Sequence, residues 1–146
     1  MTEHEFPLEQ MHVAARETAT ATLLGAVAYM QKQSHPTQDF VHFLGEHFAP
    51  TWKQLEGQGA MAVMNVIAME MVALGGSLRA LSGSETHAEG VFADWPSADF
   101  LALFELTPVG GSDVLWEIFT PVAAYLHLEY EWHREDDQVR LILSHE

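Results

Sequence analysis

From Ala60 to Gly76 the chain reads AMAVMNVIAMEMVALGG, apolar on every side of a helical wheel and interrupted only by Asn65 and Glu70. A helix of that kind cannot lie on a wet surface, so the pattern predicts a helix running through a core or a subunit interface. Ahead of it, Leu8, Met11, Ala15, Thr18, Thr22, Ala26 and Tyr29 keep helical spacing, which predicts one long helix from Leu8 to about Lys32. Its middle, AARETATATLLGAVA, is built of small side chains that let another helix approach closely. The TATAT alternation alone argues for a strand, but its Ala-rich surroundings outweigh five residues. Ser34-His35-Pro36-Thr37 is a break. A second helix is expected from Pro36 or Thr37 through about Phe48, with Asp39 favourable in the first turn. Phe40, Phe43, Leu44, His47 and Phe48 lie toward one side of it. Pro50 ends that helix or opens a short one through Leu55, and Gly57 and Gly59 punctuate the chain before the apolar helix.

After Gly76 the period changes. Leu78 to Leu81 fits either a last helical turn or a strand, and Ser82-Gly83-Ser84 signals a turn. Thr86 to Trp95 reads as a strand stopped by Pro96. Ser97 caps a helix beginning near Ala98, with Phe100, Leu101 and Phe104 as its apolar side. Thr107 to Ser112 is a loop, and Asp113 through about Pro121 a short helix or a turn with an apolar stretch. The C-terminal part carries the clearest alternation. Leu126, Leu128, Tyr130 and Trp132 alternate with His127, Glu129, Glu131 and His133; then Val139, Leu141 and Leu143 alternate with Arg140, Ile142 and Ser144. With Asp136-Asp137 as the turn centre, Glu135 pairs with Gln138 and His133 with Arg140. Both apolar sets then share one face, which predicts a hairpin. Helices first, then a sheet of three or four antiparallel strands interrupted by one helix, reads as α+β. The expectation is a single α+β domain over residues 1–146, its N-terminal helices packed on a small antiparallel sheet that ends in a C-terminal β-hairpin.

Composition narrows the partners. A chain of 146 residues, 48% hydrophobic, fits one domain with one core. The formal charge is -15, from six basic and 21 acidic residues. The basic residues are scattered (Arg16, Lys32, Lys53, Arg79, Arg134, Arg140), whereas binding a nucleic-acid backbone or anionic lipid needs them clustered. Neither nucleic acid nor a membrane is expected as a partner. The absence of cysteine removes disulfides, thiolate nucleophiles, zinc knuckles and iron–sulfur clusters together. The start, MTEHEFP, lacks the basic-then-apolar form of a secretion signal, and the longest apolar run is too short to span a bilayer. The expected compartment is the cytoplasm.

Several groups are candidates for chemistry. On the apolar helix Glu70 shares its side with Val63, Val66, Ile67, Ala73 and Leu74, where a carboxylate must be paired, hydrogen-bonded or protonated. It is either an acid, base or ligand anchor in an apolar pocket, or a structural contact to Arg16, Arg79 or a hydroxyl of the TATAT helix. Asn65 lies on another side. On the last-but-one strand His127, Glu129, Glu131 and His133 form either a cation site or a solvated outer face. Asp39, His42 and Glu46 stand at metal-binding helical spacing, and at the same spacing they are common on the wet side of a helix. Glu9-Gln10-Met11-His12 has the ExxH spacing of di-iron bundles, but the second ExxH is missing. Neither GxSxG nor a Walker motif nor GxGxxG occurs. Met61, Met64, Met69 and Met71 read as adaptable core packing or the lining of an apolar pocket.

The segment HAEGVFADWP, then a helix, then YLHLEYEWHREDDQVRLILS with its Glu-bearing strand, acidic turn and closing apolar strand, resembles two families by order of elements. These are the small-molecule-binding domains of the vinyl reductase type and the thiazoline-carboxylate hydrolase-like proteins. The resemblance covers residues 60–146. This chain lacks the cysteines those families carry near the end and has Asp136-Asp137 without Gly at the turn, so no functional residue carries over. The resemblance implies an intracellular α+β domain with an internal ligand cavity, commonly dimeric. The leading expectation is therefore a small-molecule-binding or sensory domain forming a homodimer, its cofactor unspecified. Its ligand-binding candidates are Glu70, Asn65, Met64, Trp95, Tyr130 and Trp132. One alternative is a small hydrolase or metal-dependent enzyme using His127, Glu129 and His133. Another is a structural or regulatory partner protein.

Overall fold

The computed structural model describes residues 5–145. Helix α1 spans Leu8–Lys32 and buries only a narrow strip, Thr20, Leu24 and Val27. Helix α2, Thr37–Phe48, runs into a 3₁₀ segment, Ala49–Leu55, so Pro50 opens a short turn instead of ending the helix outright. Gly45 sits where α2 meets the C-terminal helices. A β-carbon there would drive into the Ile118 carbonyl oxygen and come within 2.9 Å of Pro121 Cγ. Gly45→Ala is therefore expected to lower stability by about 1–3 kcal/mol through overpacking. Urea unfolding tests this, and an unchanged midpoint would show that the helices part without cost.

Helix α3, Ala60–Ala73, is the apolar stretch. Its first backbone N–H groups are satisfied from a distance in sequence: Ala60 N–H donates to Glu85 O at 2.8 Å and Met61 N–H to Ser84 O at 3.1 Å. Burial on every side is not what the chain does. Ala60, Val63, Met64, Ile67, Ala68 and Met71 are buried, while Asn65, Met69, Glu70 and Val72 are exposed. Only half the circumference of α3 finds a partner within one chain.

The ambiguous stretch after Gly76 is a strand, β1 (Ser77–Gly83), paired with β2 (His87–Ala93). Pairing with β2 decides a segment whose own pattern fits both states. Then come α4 (Ala98–Leu103), a second 3₁₀ segment (Ser112–Ile118) and α5 (Phe119–Tyr125). The Ser97 hydroxyl accepts from Phe100 N–H, capping α4 as its sequence requires. Strands β3 (Leu128–Glu135) and β4 (Gln138–His145) close the chain as a hairpin in the expected register, with Glu135 opposite Gln138 and His133 opposite Arg140.

The sheet is antiparallel, in the order β1-β2-β4-β3. Ala88, Gly90 and Phe92 stand opposite Leu143, Leu141 and Val139, so the apolar sets of two hairpins merge into one face. That face carries α3. Met64 Sδ lies over Gly90, where a β-carbon would come within 3.1 Å. The other face carries Glu89, Glu131, His133 and Arg140, with Arg140 bonded to Glu135 at 2.9 Å and 3.4 Å from Glu89. These groups make a solvated surface. The fold is α+β with helices ahead of the sheet, and no helix of the described residues is long and apolar enough to cross a membrane.

Candidate functional site

A cavity of about 280 Å³ lies between the helices. Leu23 of α1 forms one wall. Phe48, Thr51 and Trp52 come from the end of α2 and the first 3₁₀ segment; Glu70, Met71 and Leu74 from the end of α3. Trp95 enters from the loop after β2. Leu115, Trp116 and Ile118 come from the second 3₁₀ segment, with Phe119 and Val122 of α5 behind them. Three of the chain's four tryptophans thus wall one space. Trp95 crosses Trp116 edge-on at 5.6 Å, and Phe92 stacks on the same indole at 6.1 Å. Such offset and edge-on contacts hold the rings at fixed angles.

Polar groups on these walls are few, and those of Trp95 and Thr51 are occupied. Trp95 Nε1–H donates to the Thr20 hydroxyl at 3.1 Å, in the buried interior, so a threonine of the TATAT run serves the indole and not Glu70. The Thr51 hydroxyl donates to Phe48 O at 2.6 Å. Trp116 Nε1 is buried without an acceptor among the described residues. Glu70 is the one ionisable side chain lining the cavity.

Glu70 differs from its expected setting. It is exposed at the edge of the cavity, not enclosed by apolar neighbours. Water reaches one side while the packed apolar wall on the other raises its pKa above the ordinary carboxylate value by desolvation. A raised folded-state pKa means the native state holds the proton more tightly than the unfolded chain. Stability linked to Glu70 is then full below the ordinary pKa and falls as pH rises through the folded one. Glu70→Gln removes that loss. Thermal melts between about pH 4 and about pH 7 should show the variant gaining on the parent as pH rises; a constant difference across the range would remove the carboxyl from that role.

The remaining candidates separate. Trp95 lines the cavity beside Glu70. Met64 is buried under the sheet, and Asn65 is exposed on the outer side of α3, so neither lines it. Tyr130 and Trp132 sit on the far side of the second 3₁₀ segment. Tyr130 donates to Trp116 O at 2.7 Å, and its phenol is pushed well above its ordinary pKa by burial and then by the Glu117 carboxylate. Trp132 Nε1–H donates to Glu117 Oε1 at 2.9 Å. Glu117 also accepts from the Thr120 hydroxyl at 3.0 Å and lies 3.5 Å from His42 Nε2. Glu117 interrupts the apolar run VLWEIF much as Glu70 interrupts its own, and that interruption is the one signal the sequence offers for it. It links α2, α5 and β3 behind the cavity wall.

Among the described residues, no three His, Asp or Glu side chains are placed to share a metal ion. His127, Glu129 and His133 do not form the site their alternation allows. His127 precedes β3 in the left-handed region (φ 60°) and lies 3.2 Å from Glu56, whereas His133 lies 3.3 Å from Glu131. A strand face requires every member to be in the strand, and His127 is outside it. Asp39, His42 and Glu46 form no such group either; His42 turns to Glu117.

No protein family matches the chain, and no curated protein matches it.

Proposed function

We propose that the chain is a small-molecule-binding domain whose ligand occupies the cavity edged by Glu70. The observation that carries this reading is the space itself, walled by Trp52, Trp95 and Trp116. Protein interiors leave few voids larger than a water molecule. The space is open to solvent on one side and its walls are almost wholly apolar, so water that enters it finds few polar partners. An apolar ligand recovers the missing dispersion contacts.

Native mass spectrometry of protein purified without chelator tests retention: an added mass lost on denaturation is expected. Titration with 1-octanol, followed by tryptophan emission, tests the space directly, since three of the four indoles border it. Leu23→Trp, which places a larger ring at the wall, should abolish the emission change while leaving the circular dichroism spectrum intact. An emission change that survives Leu23→Trp would place the ligand elsewhere.

A second copy of the chain is the proposed partner. Met69 is 64% and Val72 48% exposed on the outer side of α3, and Leu8 and Met11 are exposed on α1. Burying this surface gives the outer half of α3 the apolar partner its composition asks for. Light scattering after gel filtration should report a dimer for the parent chain and a monomer for Met69→Lys. A monomeric parent would contradict it. The resemblance to the vinyl reductase type stands beside both readings, since it implies an internal cavity and a dimer, and the cytoplasm remains the proposed compartment.

A further inference from the structure

The chemistry of the cavity walls selects among ligands. Trp52, Trp95 and Trp116 present indole rings, Phe48 and Phe119 add phenyl rings, and no Lys, Arg or His lines the space. Glu70 supplies the one charge. Among the described residues no hydrogen bond or ion pair engages its carboxylate. On its outer side Glu70 shares a shallow groove between α1 and α3 with Arg16 and His12, neither of which forms an ion pair with it among the described residues, and the Arg16 stem lies against Gly75. We propose that the ligand is a lipophilic cation, an amine or quaternary ammonium on an aromatic or short alkyl body, with its charged head at Glu70 and its body among the tryptophans. This rests on the cavity being a ligand site.

Three physical effects point the same way. Aromatic faces attract cations through their quadrupole, most strongly for Trp and most strongly when water is excluded. A cation beside a half-desolvated, unpaired carboxylate relieves the cost of keeping that carboxylate charged. The formal charge of -15 raises the local concentration of cations around the whole molecule. The same features act against anions: a carboxylate or phosphate placed here meets Glu70 with no basic group on the walls to offset it. Size sets the scale. A cavity of roughly 150 Å³ holds benzene, so 280 Å³ suits one ring with a short amine chain or an alkylamine of moderate length.

Octylamine, 1-octanol and octanoate share one body and differ in the head, so they separate charge from shape. The expected order of affinity by tryptophan emission is amine, then alcohol, then carboxylate, the amine ahead of the alcohol by about tenfold, which corresponds to about 1.4 kcal/mol. Glu70→Gln should erase the gap between amine and alcohol while leaving alcohol binding within about twofold, or about 0.4 kcal/mol. That variant changes the net charge by a single unit, so general attraction of cations to an acidic surface would survive it and a specific contact would not. Because Glu70 is exposed, the variant retains the fold; the ranking with the parent protein decides the ligand class independently of any variant. Equal binding of amine and alcohol, or tightest binding of octanoate, overturns the cationic class and leaves the cavity as an apolar site. Failure of all three to bind overturns the ligand site itself.

Discussion

Asp113→Ala should destabilise the fold by about 3 kcal/mol, the lower end of the loss seen when one partner of a buried ion pair is removed. Asp113 is 5% exposed and accepts two bonds from one guanidinium: Arg134 Nε–H to Oδ2 at 2.9 Å and Nη2–H to Oδ1 at 2.6 Å. Without the carboxylate, the guanidinium keeps, among the described residues, only Asp136 O, 3.4 Å from Nη1. The Arg134 side chain is 19% exposed, so it recovers part of its hydration, which places the loss at the lower end. The bond ties the second 3₁₀ segment, which forms a cavity wall, to strand β3. Local loosening should therefore weaken the proposed binding of a ligand in the cavity as well. Urea unfolding measures the stability. A double variant, Asp113→Ala with Arg134→Met, should recover much of the loss, because no uncompensated charge remains. A single variant within about 1 kcal/mol of the parent would mean that the pair behaves as an exposed one.

Trp116→Ala should cost about 4 kcal/mol, within the range for deleting a buried aromatic side chain. The indole is 1% exposed and packs between Phe92 and Trp95, so its removal enlarges an existing space that the neighbours cannot close. Trp116→Phe separates packing from hydrogen bonding. The indole Nε1–H has no acceptor among the described residues, and a buried unpaired donor carries a penalty of about 1–3 kcal/mol. Phenylalanine keeps a ring and removes that donor. The smaller ring leaves part of the indole volume unfilled, so a net loss well below that for alanine is expected. A loss as large as for alanine would show that the indole N–H has a partner worth keeping. In both variants the emission of Trp52 and Trp95 remains available to report an altered cavity.

Wherever the signal is local, the chain announces its own structure. The small-residue run and the helical spacing from Leu8 to Lys32 give α1; Pro36 and Thr37 open α2; Ser97 caps α4. The alternation around Asp136-Asp137 sets the β3–β4 register because a slip of one residue would turn Val139, Leu141 and Leu143 to water. The pattern of Leu78–Leu81 suits both helix and strand, and pairing with β2 makes it a strand. The candidate site was less legible. Glu70 and Trp95 do line the cavity, but Met64, Asn65, Tyr130 and Trp132 do not. Met64 and Tyr130 carry the bulk that a pocket wall needs, and nothing in their own neighbourhood reveals that one meets Gly90 and the other the carbonyl of Trp116.

The sequence by itself determined the class of the fold, the main elements and the apolar side of most of them. It also determined an acidic chain with no thiol chemistry. Periodicity carries that much because each element's apolar face is written at fixed spacing within the element. Only the tertiary structure decided that Trp52, Trp95 and Trp116 meet around one cavity, that Glu70 stands at its edge, and that α3 is buried on one side alone. Those are relations between elements distant along the chain. They follow from how α1, α3 and the two 3₁₀ segments pack on the sheet, and no spacing within any single segment encodes them.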